Sequence, residues 1–177
     1  MNKLFFAGGL IIILLILTAI SAPLISPYDP SEQNLFEGLK GPGSKHILGQ
    51  DRLGRDILSR IIYGSRVSLQ VGIMAVGISL ILGLIIGSAS GYFGGFIDNL
   101  FMRIADILLA FPGILLAIGI TAVLGPSLTN VILALSIISW VGYARLIRGQ
   151  ILSVREHEYV SAARAIGAGD IRIITKH

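Results

Sequence analysis

Seventeen consecutive uncharged and mostly apolar residues, LFFAGGLIIILLILTAI over residues 4–20, constrain this chain more than any other feature it has. A run of that length belongs in lipid, at the short end of what crosses ~30 Å of hydrocarbon. Lys3 precedes it, and Pro23 is expected to end it. A secretory leader is the rival reading, since Ala19 and Ser21 form a small-residue cleavage pattern. The run is longer than a usual leader core and further apolar runs follow, so a retained first helix is expected over residues 1–23. Three more spans are predicted, over residues 67–91, 99–124 and 128–144. With 54% hydrophobic and 14% charged residues and a mean hydropathy of +0.82, the class is an all-α polytopic membrane protein with about four transmembrane helices.

Charge and chemistry narrow the function. The net charge is +4, but no aromatic-basic pattern accompanies it, so nucleic acid is not an expected partner, whereas an anionic lipid leaflet is. The absence of cysteine removes disulfides, thiolate metal sites and a thiol nucleophile. His46, His157 and His177 are scattered; Asp51 and Asp56 near His46 match no usual ligand spacing, so neither a metal nor a cofactor is expected. An intramembrane enzyme needs a nucleophile with a base or a metal at depth. No histidine falls in a predicted span, and Ser88 and Ser90 lack the Gly-x-Ser-x-Gly spacing, so no catalytic residue is assigned.

Residues 24–66 carry eleven of the chain's 24 formal charges, with Pro27, Pro30 and Pro42. They read as a solvated loop with short local helices. Within it, DRLGRDILSRIIYG places Leu53, Ile57 and Ile61 on one helical side and Arg52, Arg55, Asp56 and Arg60 largely on the other, which predicts a short interfacial helix. Residues 67–144 form a three-helix block. In its first helix Ala75, Ser79, Gly83, Gly87 and Gly91 recur every four positions, a ridge that lets another helix backbone approach closely. In the next, Pro112 predicts a kink, and Asp106 is either a functional acid or the local ion-pair partner of Arg103. Trp140 and Tyr143 are expected at the membrane interface.

Alternating the spans from an inside amino end puts eight Lys and Arg inside against six outside, a narrow lead for a cytoplasmic N-terminus, with residues 145–177 inside as well. The closing stretch EYVSAARAIGAGDIRIITKH has a helical pattern over residues 158–166, with Tyr159, Ala162, Ala163 and Ile166 as one small apolar face. Gly167 falls where a C-cap belongs, and Asp170 is placed to N-cap a second short helix through Ile171, Ile174 and Lys176. A helix pair with small residues on its contact side suits docking into another protein's groove, and equally suits resting on lipid headgroups.

This closing stretch resembles the cytoplasmic coupling loop of permease subunits in ATP-binding-cassette importers, in which a Glu-Ala-Ala triplet is followed four residues later by Gly. Ser161, Ala162, Ala163 and Gly167 occupy the matching positions, with Ser161 in place of Glu. HILGQDRLGRDILSRIIYGSRVSL, residues 46–69, is similar to the stretch after the first helix of the peptide and nickel permeases, with Gln50 where Thr is expected. DILLAFPGILLA, residues 106–117, is a third match. The resemblance is to the dipeptide-permease C type and implies six membrane helices in a full member. This chain resembles the first three-fifths, and an Ile-x-Leu-Pro signature with two further helices is expected beyond His177. It also implies the partners: a second permease subunit, two ATPase subunits that bind through Tyr159, Ser161, Ala162, Ala163, Gly167 and Asp170, and an extracytoplasmic solute-binding protein that docks on residues 24–66 and 125–130. The location implied is a bacterial or archaeal inner membrane. None of the four lysines follows a phosphate-loop glycine run, so ATP chemistry belongs to a partner. A nickel-importing permease and a four-helix scaffold without transport are the alternatives.

Overall fold

A computed structural model describes residues 3–170, 172 and 173. The helices are α1 (Lys3–Ile25), α2 (Ile57–Phe93), α3 (Gly95–Leu109), α4 (Gly113–Leu124), α5 (Leu128–Val154) and α6 (Glu158–Ala165), with no strand among the described residues. Three of them, α1, α2 and α5, are long and apolar enough to cross a membrane, and the bent pair α3–α4 makes a fourth candidate. The chain divides into two compact units, Met1–Gly72 and Ile73–His177.

In the first unit α1 exposes apolar side chains around most of its circumference and buries only Ala19 and Ala22. Its hydroxyls are satisfied within the helix: Thr18 Oγ1 donates to the Leu14 carbonyl at 2.8 Å and Ser21 Oγ to the Leu17 carbonyl at 2.6 Å. Both are arrangements that hydrocarbon tolerates. Pro23 does not end α1 as expected. It cannot donate to the Ala19 carbonyl, but the last turn closes past it, with the Ser26 amide donating to the Ala22 carbonyl at 3.1 Å.

The segment after α1 is ordered by backbone and carboxylate bonds rather than by helices; its one helical turn is the 3₁₀ piece Leu35–Glu37. The expected interfacial helix over residues 51–64 is absent as a separate element, because α2 begins only at Ile57 and then continues into the span. Asp51 explains the delay. Its Oδ1 accepts from the amides of Leu53 (2.8 Å) and Arg55 (3.0 Å), and its Oδ2 accepts from Arg55 Nε at 2.7 Å. These bonds wind residues 51–55 around Gly54 (φ +72°), where any side chain would overlap the Asn34 backbone. Leu53 therefore shares no helical face with Ile57 and Ile61.

Asp56 then caps α2: its Oδ2 accepts from the Ser59 amide and from Ser59 Oγ, both at 2.7 Å. Its Oδ1 lies 2.9 Å from His46 Nδ1, and the His46 ring packs on Tyr28 with centroids 4.6 Å apart. The loop histidine and acid thus form a packing and capping cluster. Among the described residues no three His, Asp or Glu side chains gather into a metal site.

The Asp51 carboxyl is held down to about 2 from its ordinary 3.8, first by the Arg55 side-chain hydrogen bond. Its stabilising contribution is therefore present above about pH 4 and is lost as pH falls toward about 2. The Leu53 and Arg55 amides are expected to lose hydrogen-exchange protection across that acid window and to keep it from about pH 5 to 8. Protection that is flat down to about pH 2 would contradict the role given to Asp51.

The second unit is built on α5. Ala105 of α3 packs with Trp140, Val141 and Ala144 of α5, flanked by Ile86 and Leu108. Trp140, expected at the interface, is instead a core residue with 7% of its surface exposed. Ser127 caps α5 by accepting from the Asn130 amide at 3.1 Å, and Asn130 Nδ2 returns to the Leu124 and Gly125 carbonyls, both at 2.9 Å. The span expected to kink at Pro112 is broken outright, with α3 and α4 bent by 90°. Pro112 has no amide hydrogen to continue the ladder and disfavours helical geometry at Phe111, so α4 restarts from the Pro112 carbonyl, which accepts from the Leu116 amide.

Candidate functional site

Close packing of α2 on α5 comes first, because it needs positions without side chains. A Cβ on Gly87 would lie 2.5 Å from the Ala144 carbonyl oxygen, and one on Gly91 would lie 2.8 Å from Ile151 Cβ. A Cβ on Gly83 would collide with Tyr143 Cβ. Above them Ser79 Oγ donates to the Ala75 carbonyl at 2.7 Å with the Ser136 carbonyl 3.3 Å away, and Ser136 Oγ lies 3.4 Å from the Ala75 carbonyl. Ala75, Ser79, Gly83, Gly87 and Gly91 thus lie along one seam against α5.

Two arginines of α5 reach across to acids of α3. Arg148 grips Asp98 with two nitrogens, Nη2 standing 2.6 Å from Oδ2, and Arg145 pairs with Asp106. The expected Arg103 partner for Asp106 is therefore incorrect: helix packing brings Arg145 to it from another element. Asp98 was not singled out from sequence, although it and Asp106 lie eight residues apart on one helix. α5 runs ten residues past Ala144, where its span was expected to stop, and both arginines of this added length that face α3 are paired with acids. The Asp98 side chain is 16% exposed and that of Asp106 60%. Asp98→Ala is accordingly expected to cost about 2 kcal/mol and Asp106→Ala under about 1 kcal/mol in thermal unfolding of the detergent-solubilised protein. Equal losses would show that burial does not set the strength of these pairs.

Beyond α5 the chain turns into α6. Gly167 is the left-handed residue after its end (φ +84°); the Gly167 amide donates to Arg164 and the Ala168 amide to Ala163, each at 3.0 Å. This double bond pattern ends the helix and reverses the chain. The face of α6 differs from the expected one. Val160 and Ala163 are buried, with Val160 packed among Tyr92 and Ile173 and flanked by Ile151, Val154 and Ala168. Ser161 and Ala162 are exposed, Tyr159 is 50% exposed and Ile166 87%. Val160 takes the inward position because its branched side chain fills more of the space under α6 than an alanine does. The cap at Gly167 then carries Ile166 off the helical register.

Asp170 does not serve as the expected helix cap. The Ile173 amide already donates to the Gly169 carbonyl, and the Asp170 carboxylate accepts instead from the Tyr92 hydroxyl at 2.6 Å. Ile171, Ile174 and Lys176, expected in the second short helix, lie outside the described residues. Tyr92 is the functional candidate that pattern reading passed over; its one signal was a tyrosine placed between glycines in GYFGGF. Among the described residues the arrangement holds no nucleophile–base pair. It presents a short, capped helix whose inner face is fixed to the ends of two long helices and whose outer face is free.

Residues 79–177 match the family described as the binding-protein-dependent transport system inner membrane component, and residues 1–42 match the N-terminal TM domain of oligopeptide transport permease C. The chain is 48% identical over 176 residues to the dipeptide transport system permease protein DppC of Alkalihalophilus pseudofirmus, covering 99% of this chain and 58% of that protein. It is 44% identical to the oligopeptide transport system permease protein OppC of Bacillus subtilis, with coverages of 99% and 58%. To the glutathione transport system permease protein GsiD of Escherichia coli it is 46% identical over 171 residues, with coverages of 96% and 56%. The chain thus spans 56–58% of the length of these relatives.

Proposed function

The chain belongs to the family of binding-protein-dependent transport inner membrane components, as a multi-pass membrane protein of the peptide permease type, and from that premise we propose that it forms part of the solute pathway of an ATP-driven peptide importer. The observation that carries this reading is the exposed outer face of α6, made of Tyr159, Ser161 and Ala162, standing on an inner face of Val160 and Ala163 that is packed against the protein. A helix with small exposed residues and a fixed base is suited to seat in a groove and to pass a rigid displacement inward.

In this reading one of two ATPase subunits takes that outer face and a second permease subunit completes the pathway. A solute-binding protein delivers peptide to residues 24–66 and 125–130, and the amino end lies in the cytoplasm. Ser161 stands where the family triplet has Glu, so seating relies on shape and small size rather than on an acid at that position. Peptide is favoured over nickel by the names of the relatives above, which specify dipeptide, oligopeptide and glutathione. The test is to isolate the protein from its own membrane and to probe for a bound nucleotide-binding subunit, then to measure ATP-dependent peptide uptake by vesicles containing the purified complex. Bound ATPase with uptake supports the proposal; a chain that never co-purifies with an ATPase sinks it and moves the scaffold reading to first place.

A further inference from the structure

Tyr92 lies one residue before the end of α2 and is 9% exposed. Its hydroxyl donates to Asp170 Oδ1 at 2.6 Å and lies 3.4 Å from Arg164 Nη2, while the Arg164 guanidinium carbon stands 5.8 Å from the centre of its ring. Arg164 precedes the Gly167 turn and Asp170 follows it, so a single hydroxyl ties both arms of that turn. The ring does the same through packing, since Val160 comes from one arm and Ile173 from the other. On its backbone side the Tyr92 carbonyl and the adjacent Gly91 carbonyl take Arg155 Nη1 at 3.4 and 3.2 Å, just beyond the end of α5. Gly91 is also the last residue of the α2–α5 seam.

We infer that Tyr92 is the positioning residue that fastens α6 and the segment after it to the end of α2, so that a displacement of α6 is delivered to α2 and along its seam to α5. This rests on the permease reading for its purpose, but not for its geometry. A hydrogen bond to a carboxylate in a half-buried site holds a joint far more firmly than apolar packing alone, which lets a short helix slide. Apolar contact sets where α6 rests; the hydroxyl sets whether α6 and α2 move together. Tyr92→Phe separates the two contributions, because it keeps the ring, the packing and the cation–ring contact and removes the hydroxyl with its bond to Asp170 and its longer contact to Arg164.

The first measurement does not require an importer. The chain contains no cysteine, so Leu84→Cys and Ser161→Cys, on lipid-facing α2 and on the outer face of α6, give a unique spin-label pair in nanodiscs. A narrow distance distribution is expected in the parent and a broad one in Tyr92→Phe and in Asp170→Ala. The double variant Tyr92→Phe with Asp170→Ala should be no broader than Tyr92→Phe alone, since both substitutions remove the Tyr92–Asp170 bond. A Tyr92→Phe distribution as narrow as the parent overturns the inference. The second measurement is ATP consumed per peptide transported by the complete importer in vesicles. Loss of a bond to a charged group shifts the held-to-released ratio by roughly tenfold or more, so ATP per peptide should rise several-fold in Tyr92→Phe while ATPase stays bound. An unchanged ratio also overturns the inference. Failure of the parent to bind ATPase overturns the permease reading instead, leaving the spin-label result to decide the joint.

Discussion

Gly87→Leu is expected to open the α2–α5 seam and lower stability by about 3 kcal/mol, the upper range for overpacking. The reason is what the new side chain meets. Its Cβ would lie 2.5 Å from the Ala144 carbonyl oxygen and 3.1 Å from Ala144 Cα, which are backbone atoms of the neighbouring helix and cannot rotate aside. Relief requires α2 and α5 to separate, which also strains the Ser79–Ser136 contacts and the packing of Trp140 and Ala144. Gly77 on the same helix is the control, because a Cβ there meets nothing within 4 Å. Apparent melting temperature in detergent should fall sharply for Gly87→Leu and hold for Gly77→Leu. Similar melting of the two would mean that the seam does not limit stability.

Ala162→Arg is expected to abolish ATPase binding while leaving the protein folded, and Ala163→Arg to damage both. The two alanines are adjacent in sequence but opposite in circumstance. Ala162 is exposed on the outer face of α6; Ala163 is 5% exposed, and its carbonyl accepts from the Ala168 amide in the turn that closes the helix. An arginine at 162 extends into solvent and, on the proposed docking, would obstruct the groove of the ATPase. At 163 it must either bury an unpaired charge, at a cost of about 3 kcal/mol or more, or push α6 off Val154 and Ile151. Co-purification with the ATPase and melting temperature separate the cases: the first variant should lose at least about tenfold in captured ATPase, equivalent to about 1.4 kcal/mol, with unchanged melting. Normal capture by Ala162→Arg would place the docking surface elsewhere.

Much of the architecture was legible in the residues because hydrophobic run length and small-residue spacing are local quantities. Residues 4–20 had to be helical in lipid, the four-residue recurrence of Ala75 through Gly91 puts one backbone-accessible stripe on one helix, and Gly167 suits a left-handed turn that side chains rarely adopt. Two other readings failed because the deciding contact came from far along the chain, and a third because a local carboxylate competed with the helix. Arg103 is the nearest cation to Asp106 in sequence, yet α5 supplies Arg145. Trp140 has the composition of an interfacial anchor, yet Ala105 covers it. Residues 51–55 have a helical apolar spacing, yet the Asp51 carboxylate binds the amides that a helix would need.

By itself, then, the sequence determined which segments are apolar enough to be candidate spans, which helix carries a close-packing stripe and where α6 stops, since each follows from side-chain hydration, side-chain size or a backbone angle within a few residues. Only the tertiary structure decided that α3 and α4 part by 90°, that Val160 and Ala163 face inward while Tyr159, Ala162 and Ile166 remain free, and that Tyr92 holds both arms of the final turn. The contacts that hold these helices together join partners 39 to 78 residues apart along the chain, such as Asp106 with Arg145 and Tyr92 with Asp170. A local pattern states what a side chain can bind; the packing of helices states which partner arrives.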